Sequence, residues 1–170
     1  MIRTTLLFGL ATVLALSLAG CGPSGGSTSN TTAATAPPPP APTLTDAQKK
    51  ALVAELPAAY QGADLSNGEA KFALCRSCHT TSPGGDDMTG PNLWGIFGRK
   101  AGSKAGFTYS DDLKNAAWTW DADRISQWIA NPRAVLAGTK MTFVGMPDAN
   151  DRRDVVAFLK AQTSEPPKGS

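Results

Sequence analysis

Among its 170 residues the chain holds one histidine, His79, and it closes the run Cys75-Arg76-Ser77-Cys78-His79. C-x-x-C-H is the attachment signature of c-type haem. Each thiol can add its S–H across a haem vinyl group, and the adjacent imidazole then reaches the iron as the proximal ligand. With no second histidine, the sixth ligand is another residue type or an open position. Other uses of C-x-x-C are a zinc half-site and a thioredoxin-like redox pair. Zinc wants four N or S ligands, and Cys75, Cys78 and His79 are all that the folded part offers. A thioredoxin-like pair belongs in an α/β pattern, which is absent here.

The patterning predicts an all-α domain. No stretch sustains the period-2 alternation of strands. Thr45 to Leu56 reads as a helix, with Thr45 and Gln48 at capping-box spacing, an apolar stripe of Leu52, Val53 and Leu56, and Pro57 at its end. Ser66 and Glu69 repeat the capping-box spacing and open a second helix that runs into the haem motif. Gly, Pro and Asn make 82–106 a loop. Short helices follow at 110–116 and 122–130, the latter stopped by Asn131-Pro132, and a last one over 149–162 groups Val155, Phe158, Leu159 and Gln162. Residues 65–165 therefore form a small domain of short helices around one covalently attached haem. The segment 44–64 is a helical stalk or an extension of that domain, and 166–170 a flexible tail. A core this small is marginal alone, and a buried haem adds apolar contact area.

Residues 1–21 read as an export signal: Arg3 supplies the positive region, Leu6 to Leu18 the apolar run, and Leu18-Ala19-Gly20-Cys21 a small-residue cleavage site. The apolar run is short for a stable membrane span. An uncleaved anchor or an ordinary secreted signal are the other readings. Cys directly after Leu-Ala-Gly resembles the lipobox of bacterial lipoproteins, which implies lipidation at Cys21 and attachment to a membrane surface. The three cysteines are then all used, Cys21 by lipid and Cys75 and Cys78 by haem. Residues 22–43 carry Gly, Ser, Thr, Ala and Pro with no charge, so they cannot bury enough surface to offset their entropy and are expected to be disordered. Such a tether spans about 26 Å as a coil and roughly 68 Å extended. It either lets the domain move between membrane complexes or only clears the lipid headgroups.

Sulfur is the natural sixth ligand, and the folded part holds Met88, Met141 and Met146. Met88 lies in a Gly-rich loop nine residues after His79, an awkward route to the opposite haem face. Met141 comes far enough along to approach from the other side, and Met146 competes with it.

Several segments, in order, resemble class I cytochrome c: Cys75-Arg76-Ser77-Cys78-His79-Thr80, Gly90-Pro91-Asn92-Leu93-Trp94-Gly95-Ile96-Phe97-Gly98-Arg99-Lys100, and Gly106-Phe107-Thr108-Tyr109-Ser110. Asn131-Pro132, Gly138-Thr139-Lys140-Met141-Thr142-Phe143 and Asp154-Val155-Val156-Ala157-Phe158-Leu159-Lys160 continue the match. The resemblance covers about 65–162 and is to the mitochondrial and bacterial soluble-type carriers. It implies Met141 as axial ligand, and Pro91 as the carbonyl that accepts a hydrogen bond from His79 and orients the ring. It further implies Arg99, Tyr109 and Trp120 as partners of the haem propionates, and Gly68, Phe72 and Phe158 at the crossing of the first and last helices. Trp128 stands where many members have a tyrosine, and Leu113 where they have an asparagine. Both changes are expected to remove polar groups from the Met side of the haem.

A haem with both axial positions filled suits one-electron transfer rather than bond-making. No Ser-His or paired-carboxylate constellation offers other catalysis. The resemblance implies a monomeric, membrane-anchored electron carrier on the periplasmic face of a bacterial membrane. It would move electrons from a quinol–cytochrome c oxidoreductase to a terminal oxidase. Rival readings are a subunit docked on one dehydrogenase or oxidase, and a haem sensor or peroxidase-like enzyme. The near balance of 16 basic and 14 acidic residues gives no footprint for nucleic acid. Residues 65–165 carry 12 basic and 11 acidic side chains, so long-range steering of partners is expected to be weak.

Overall fold

A computed structural model describes Pro40 and residues 43–167. Outside the described residues lie the export signal over 1–21 with Cys21, the tether except for Pro40 and Thr43, and residues 168–170 of the tail. Seven helices are described: α1 (Asp46–Ala54), α2 (Ala58–Gln61), α3 (Leu65–Arg76), α4 (Asp111–Lys114), α5 (Ala122–Ala130), α6 (Pro132–Val135) and α7 (Ala149–Thr163). Among the described residues the only β feature is one isolated bridge, Lys100 to Thr119. The fold is all-α, as the patterning predicts.

Most helix starts are capped by a side chain that satisfies amides the helix leaves without partners. Thr45 and Gln48 form the expected capping box on α1. The expected box at Ser66 and Glu69 is not what opens α3. Asp64 sits one residue before the helix, and its carboxylate accepts from the amides of Ser66 and Asn67. Ser110, Asp121 and Asp148 cap α4, α5 and α7. Asn131 ends α5 and also caps α6, with Pro132 at the first helical position, where a missing N–H costs nothing.

The organising interface is α3 against α7. A Cβ at Gly68 would collide with the Asp154 carbonyl and with Phe158, so glycine permits the two backbones to meet. Phe72 and Phe158 pack beside it, with ring centroids 5.4 Å apart. The crossing implied by the family pattern is therefore present, with Phe72 three residues before Cys75. Polar contacts seal its N-terminal end. Asp154, 3% exposed, accepts from the Asp64 amide, from Asn67 Nδ2 and from Arg153, and Lys71 pairs with Asp151 at 2.7 Å.

The segment 44–64 packs onto the domain. Leu44, Leu52, Val53, Leu56 and Tyr60 are buried, and both α1 and α2 contact α7. Tyr60 donates to Asp123 of α5 at 2.8 Å, and Glu55 pairs with Lys160 of α7 at 2.7 Å. The continuous core thus begins well before residue 65.

Candidate haem site

One apolar cavity of about 340 Å³ gathers residues from α3, α4, α5, α7 and the intervening loops. Cys75, Cys78, His79, Pro91, Arg99, Tyr109, Trp120 and Met141 all line it. These are the eight described residues that the sequence assigns to attaching, ligating, orienting or meeting the haem, drawn from segments up to 66 residues apart. Much of the remaining wall is hydrocarbon, including Leu93, Ile96, Leu113, Ile125, Ile129 and Leu159.

The end of α3 sets the cysteines and the histidine. The amides of Cys78 and His79 both donate to the Cys75 carbonyl at 3.0 Å, closing the helix into a turn. Burial, with a smaller contribution from Cys78, pushes the Cys75 thiol up to about 11. His79 Nδ1 lies 2.7 Å from the Pro91 carbonyl oxygen. A carbonyl can only accept, so Nδ1 carries the proton and Nε2 keeps its lone pair. Burial pushes the imidazole below its ordinary value, and the Pro91 bond offsets this in part. The neutral ring, the form that ligates metal, is thereby favoured. Sequence reasoning missed Gly90, where any Cβ would collide with the His79 ring. The only local signal was a glycine next to Pro91.

Arg99 donates to the carbonyls of Trp94 and Asn92, each at 3.2 Å, which pins the guanidinium at the cavity wall. Burial pushes its value down, opposed by Tyr109 and Asp87, and it stays charged. Burial raises the Tyr109 phenol, against the pull of the Arg99 charge. A cation and two aromatic side chains with polar tips therefore sit in an otherwise apolar lining.

Of the three methionines among the described residues, the structure brings only Met141 to the cavity. Met88 is 48% exposed, and Met146 is 5% exposed in the core and absent from the cavity wall. The Met141 amide donates to Thr139 Oγ1 at 3.1 Å, a local turn that sequence reasoning passed over although Ser and Thr commonly make it. Lys140 Nζ donates to the Thr108 carbonyl and the Gly138 amide to Asp112, tying this segment to the loop before α4 and to α4 itself.

Trp128 corrects an expectation. It was read as removing a polar group from this side, yet its indole Nε1–H donates to Met141 Sδ at 3.0 Å. The indole keeps a donor and lacks an acceptor. Leu113 is as read, a buried hydrocarbon at the wall.

The residues fit a haem: paired thiols, a neutral imidazole with an oriented nitrogen, a thioether from a distant segment, and an apolar chamber with a cation at its edge. No family model matches the chain. Individual relatives do. Cytochrome c2 of Rhodomicrobium vannielii is 44% identical over 104 residues, 61% of this chain and 83% of that protein. Cytochrome c of Chlamydomonas reinhardtii is 41% identical over 112 residues, 65% of this chain and 96% of its own. Among solved structures, cytochrome cH from Methylobacterium extorquens superposes with a TM-score of 0.54 at 40% identity, covering 57% of this chain and 97% of that one. Fold and site define a small class I c-type cytochrome. The chain belongs to the cytochrome c family. It carries one covalently attached haem c and is an electron carrier, not an enzyme.

Proposed function

We propose that this cytochrome is held on the periplasmic face of a bacterial membrane by lipid at Cys21. There it carries single electrons from a quinol–cytochrome c oxidoreductase to a terminal oxidase. Cys75 and Cys78 would hold the haem through two thioethers, His79 and Met141 would ligate its iron, and Arg99, Tyr109 and Trp120 would meet its propionates. The observation that carries the site assignment is the convergence of Met141 with the C-x-x-C-H residues on one cavity.

When bound, haem iron supplies a one-electron ferrous–ferric couple. The chain's own residues make that couple usable. His79 is held by Pro91 with Nε2 unprotonated, so the ring can ligate without first losing a proton. The hydrocarbon wall would limit water around a bound iron. With His79 and Met141 both on iron, no open position would be left for bond-making chemistry.

The tether reading rests on the uncharged 22–43 segment and on the weak net charge of the domain. Linking a carrier to the surface where its partners lie raises effective concentration without new contacts. The test compares full-length protein with a Cys21→Ser variant in membranes from cells making either. Lipidated protein should stay with the membrane fraction, and the variant should be released and reduced more slowly by the membrane complexes at equal low concentration. Equal rates would sink the tether. A complex with one dehydrogenase that survives detergent extraction would favour the docked-subunit reading.

A further inference from the structure

We infer that Asp112 of α4 is a positioning residue for Met141: its carboxylate fastens the chain segment that carries the thioether into the cavity, and so resists displacement of the sulfur. The inference rests on the reading of Met141 as axial ligand. Its ground is the hydrogen bond from the Gly138 amide to Asp112 Oδ2 at 3.1 Å, which joins residues 26 positions apart. A carboxylate acceptor makes such a bond stronger than one between neutral groups.

The seat is shaped for this pair. A Cβ at Gly138 would collide with the Asp112 carboxyl group, so glycine lets the backbone come close enough to donate. Lys140 Nζ donates to the Thr108 carbonyl at 3.3 Å, a second tie between the same two stretches of chain. The four residues that make these ties, Thr108, Asp112, Gly138 and Lys140, are all exposed. Between them, Tyr109, Ser110 and Leu113 of one stretch and Thr139 and Met141 of the other turn inward and line the cavity. The ties therefore form an outer clasp over an inner wall. The Thr139 hydroxyl holds the Met141 amide only within its own segment, whereas Asp112 joins that segment to α4. α4 is itself anchored, capped by Ser110 and buried through Leu113. Carrying Gly138 to Met141 outward would thus break the bond to a carboxylate that stays in place.

Imidazole added to the ferric, haem-loaded protein competes with the thioether. Asp112→Ala removes the acceptor, and the apparent imidazole affinity should rise about three- to tenfold, the worth of one net hydrogen bond. Asp112→Asn keeps an oxygen that can accept from the Gly138 amide and should stay within about twofold of wild type. Lys114→Ala breaks the 3.0 Å ion pair with Asp111 on the same helix without touching Gly138, and should also stay within about twofold. Equal affinities for wild type and Asp112→Ala would overturn the inference. So would an equal rise in Asp112→Asn, which would assign the effect to lost charge, or in Lys114→Ala, which would mean general loosening of α4. Should Asp112→Ala not hold haem, the Gly138 amide of the wild-type holoprotein decides. Exchange with solvent deuterium slower than in the unfolded chain supports the bond, and exchange as fast overturns it. A wild-type ferric protein without the long-wavelength sulfur-to-iron absorption would instead refute the ligand reading beneath it.

Discussion

Met141 turns into the cavity because the Thr139 hydroxyl takes its amide proton and Trp128 takes a lone pair of its sulfur. Five residues later the Met146 amide donates to the Ile129 carbonyl at 2.8 Å, and its side chain enters the core. The two residues therefore give opposite predictions. Met141→Ala should abolish the sulfur-to-iron absorption and let the reduced protein bind carbon monoxide rapidly, while global stability changes less. Met146→Ala should keep both spectrum and ligand resistance but lower unfolding free energy by about 2–5 kcal/mol, the cost of a buried cavity. Absorption and denaturant titration of the pair check this, and loss of the band in Met146→Ala would reverse the assignment. At this scale the grouping of Cys75, Cys78 and His79 at one cavity wall was legible, since three side chains within five consecutive residues carry it. Spacing alone left Met141 and Met146 open, and only the family pattern separated them. The role of Trp128 was not legible, because ring orientation decides whether an indole offers its N–H or its hydrocarbon face.

Helix boundaries were legible to within a few residues at α4, α5 and α7, where Ser110, Asp121 and Asp148 supply the caps. The start of α3 was misread because two capping patterns overlap there. Asp64 won over Ser66 and Glu69, and it gains from its place in the network at the α3–α7 crossing, where its own amide donates to Asp154. That network carries a pH prediction. Burial raises the Asp154 carboxyl, but hydrogen bonds from Asn67, Arg153 and the Asp64 amide outweigh it and hold the group below its ordinary 3.8. Asp151 is lowered as well, by hydrogen bonds from Lys71 and Asn67. A depressed folded value means the unfolded chain binds protons first, so the contribution is complete above that ordinary value and is lost as pH falls through the folded one. Thermal melts should show stability dropping as pH is lowered through about 4. Asp154→Asn should be less stable than wild type at neutral pH and should show a shallower acid fall. Parallel acid limbs for the two proteins would remove Asp154 from the account.

Across the whole molecule, α7 explains why residues 44–64 belong to the folded body. Asp154, Val155, Val156, Ala157, Phe158 and Leu159 are all buried, six positions in succession, which no single packing face can cover. α3 and α5 take part of that circumference, and α1 and α2 also contact α7. The sequence held this signal in the unbroken apolar run Val155 to Leu159. Reading the final helix as one stripe concealed it, and the partner of Leu52, Val53 and Leu56 stayed unassigned. The ion pair of Glu55 with Lys160 adds little, about 0–1 kcal/mol for a pair with one half-exposed member, so the attachment is chiefly apolar. No residue of 44–64 lines the haem cavity. Stability and haem chemistry should therefore separate cleanly at this layer. Leu56→Ala removes a side chain that is 6% exposed and should cost about 2–5 kcal/mol of unfolding free energy. The same variant should leave the sulfur-to-iron absorption and the ferric imidazole affinity at wild-type values. Denaturant unfolding monitored by helical circular dichroism, beside an imidazole titration of the folded protein, measures both. A variant that loses ligand resistance along with stability would show that this N-terminal layer reaches the haem through α7, and that the two properties are coupled through the core.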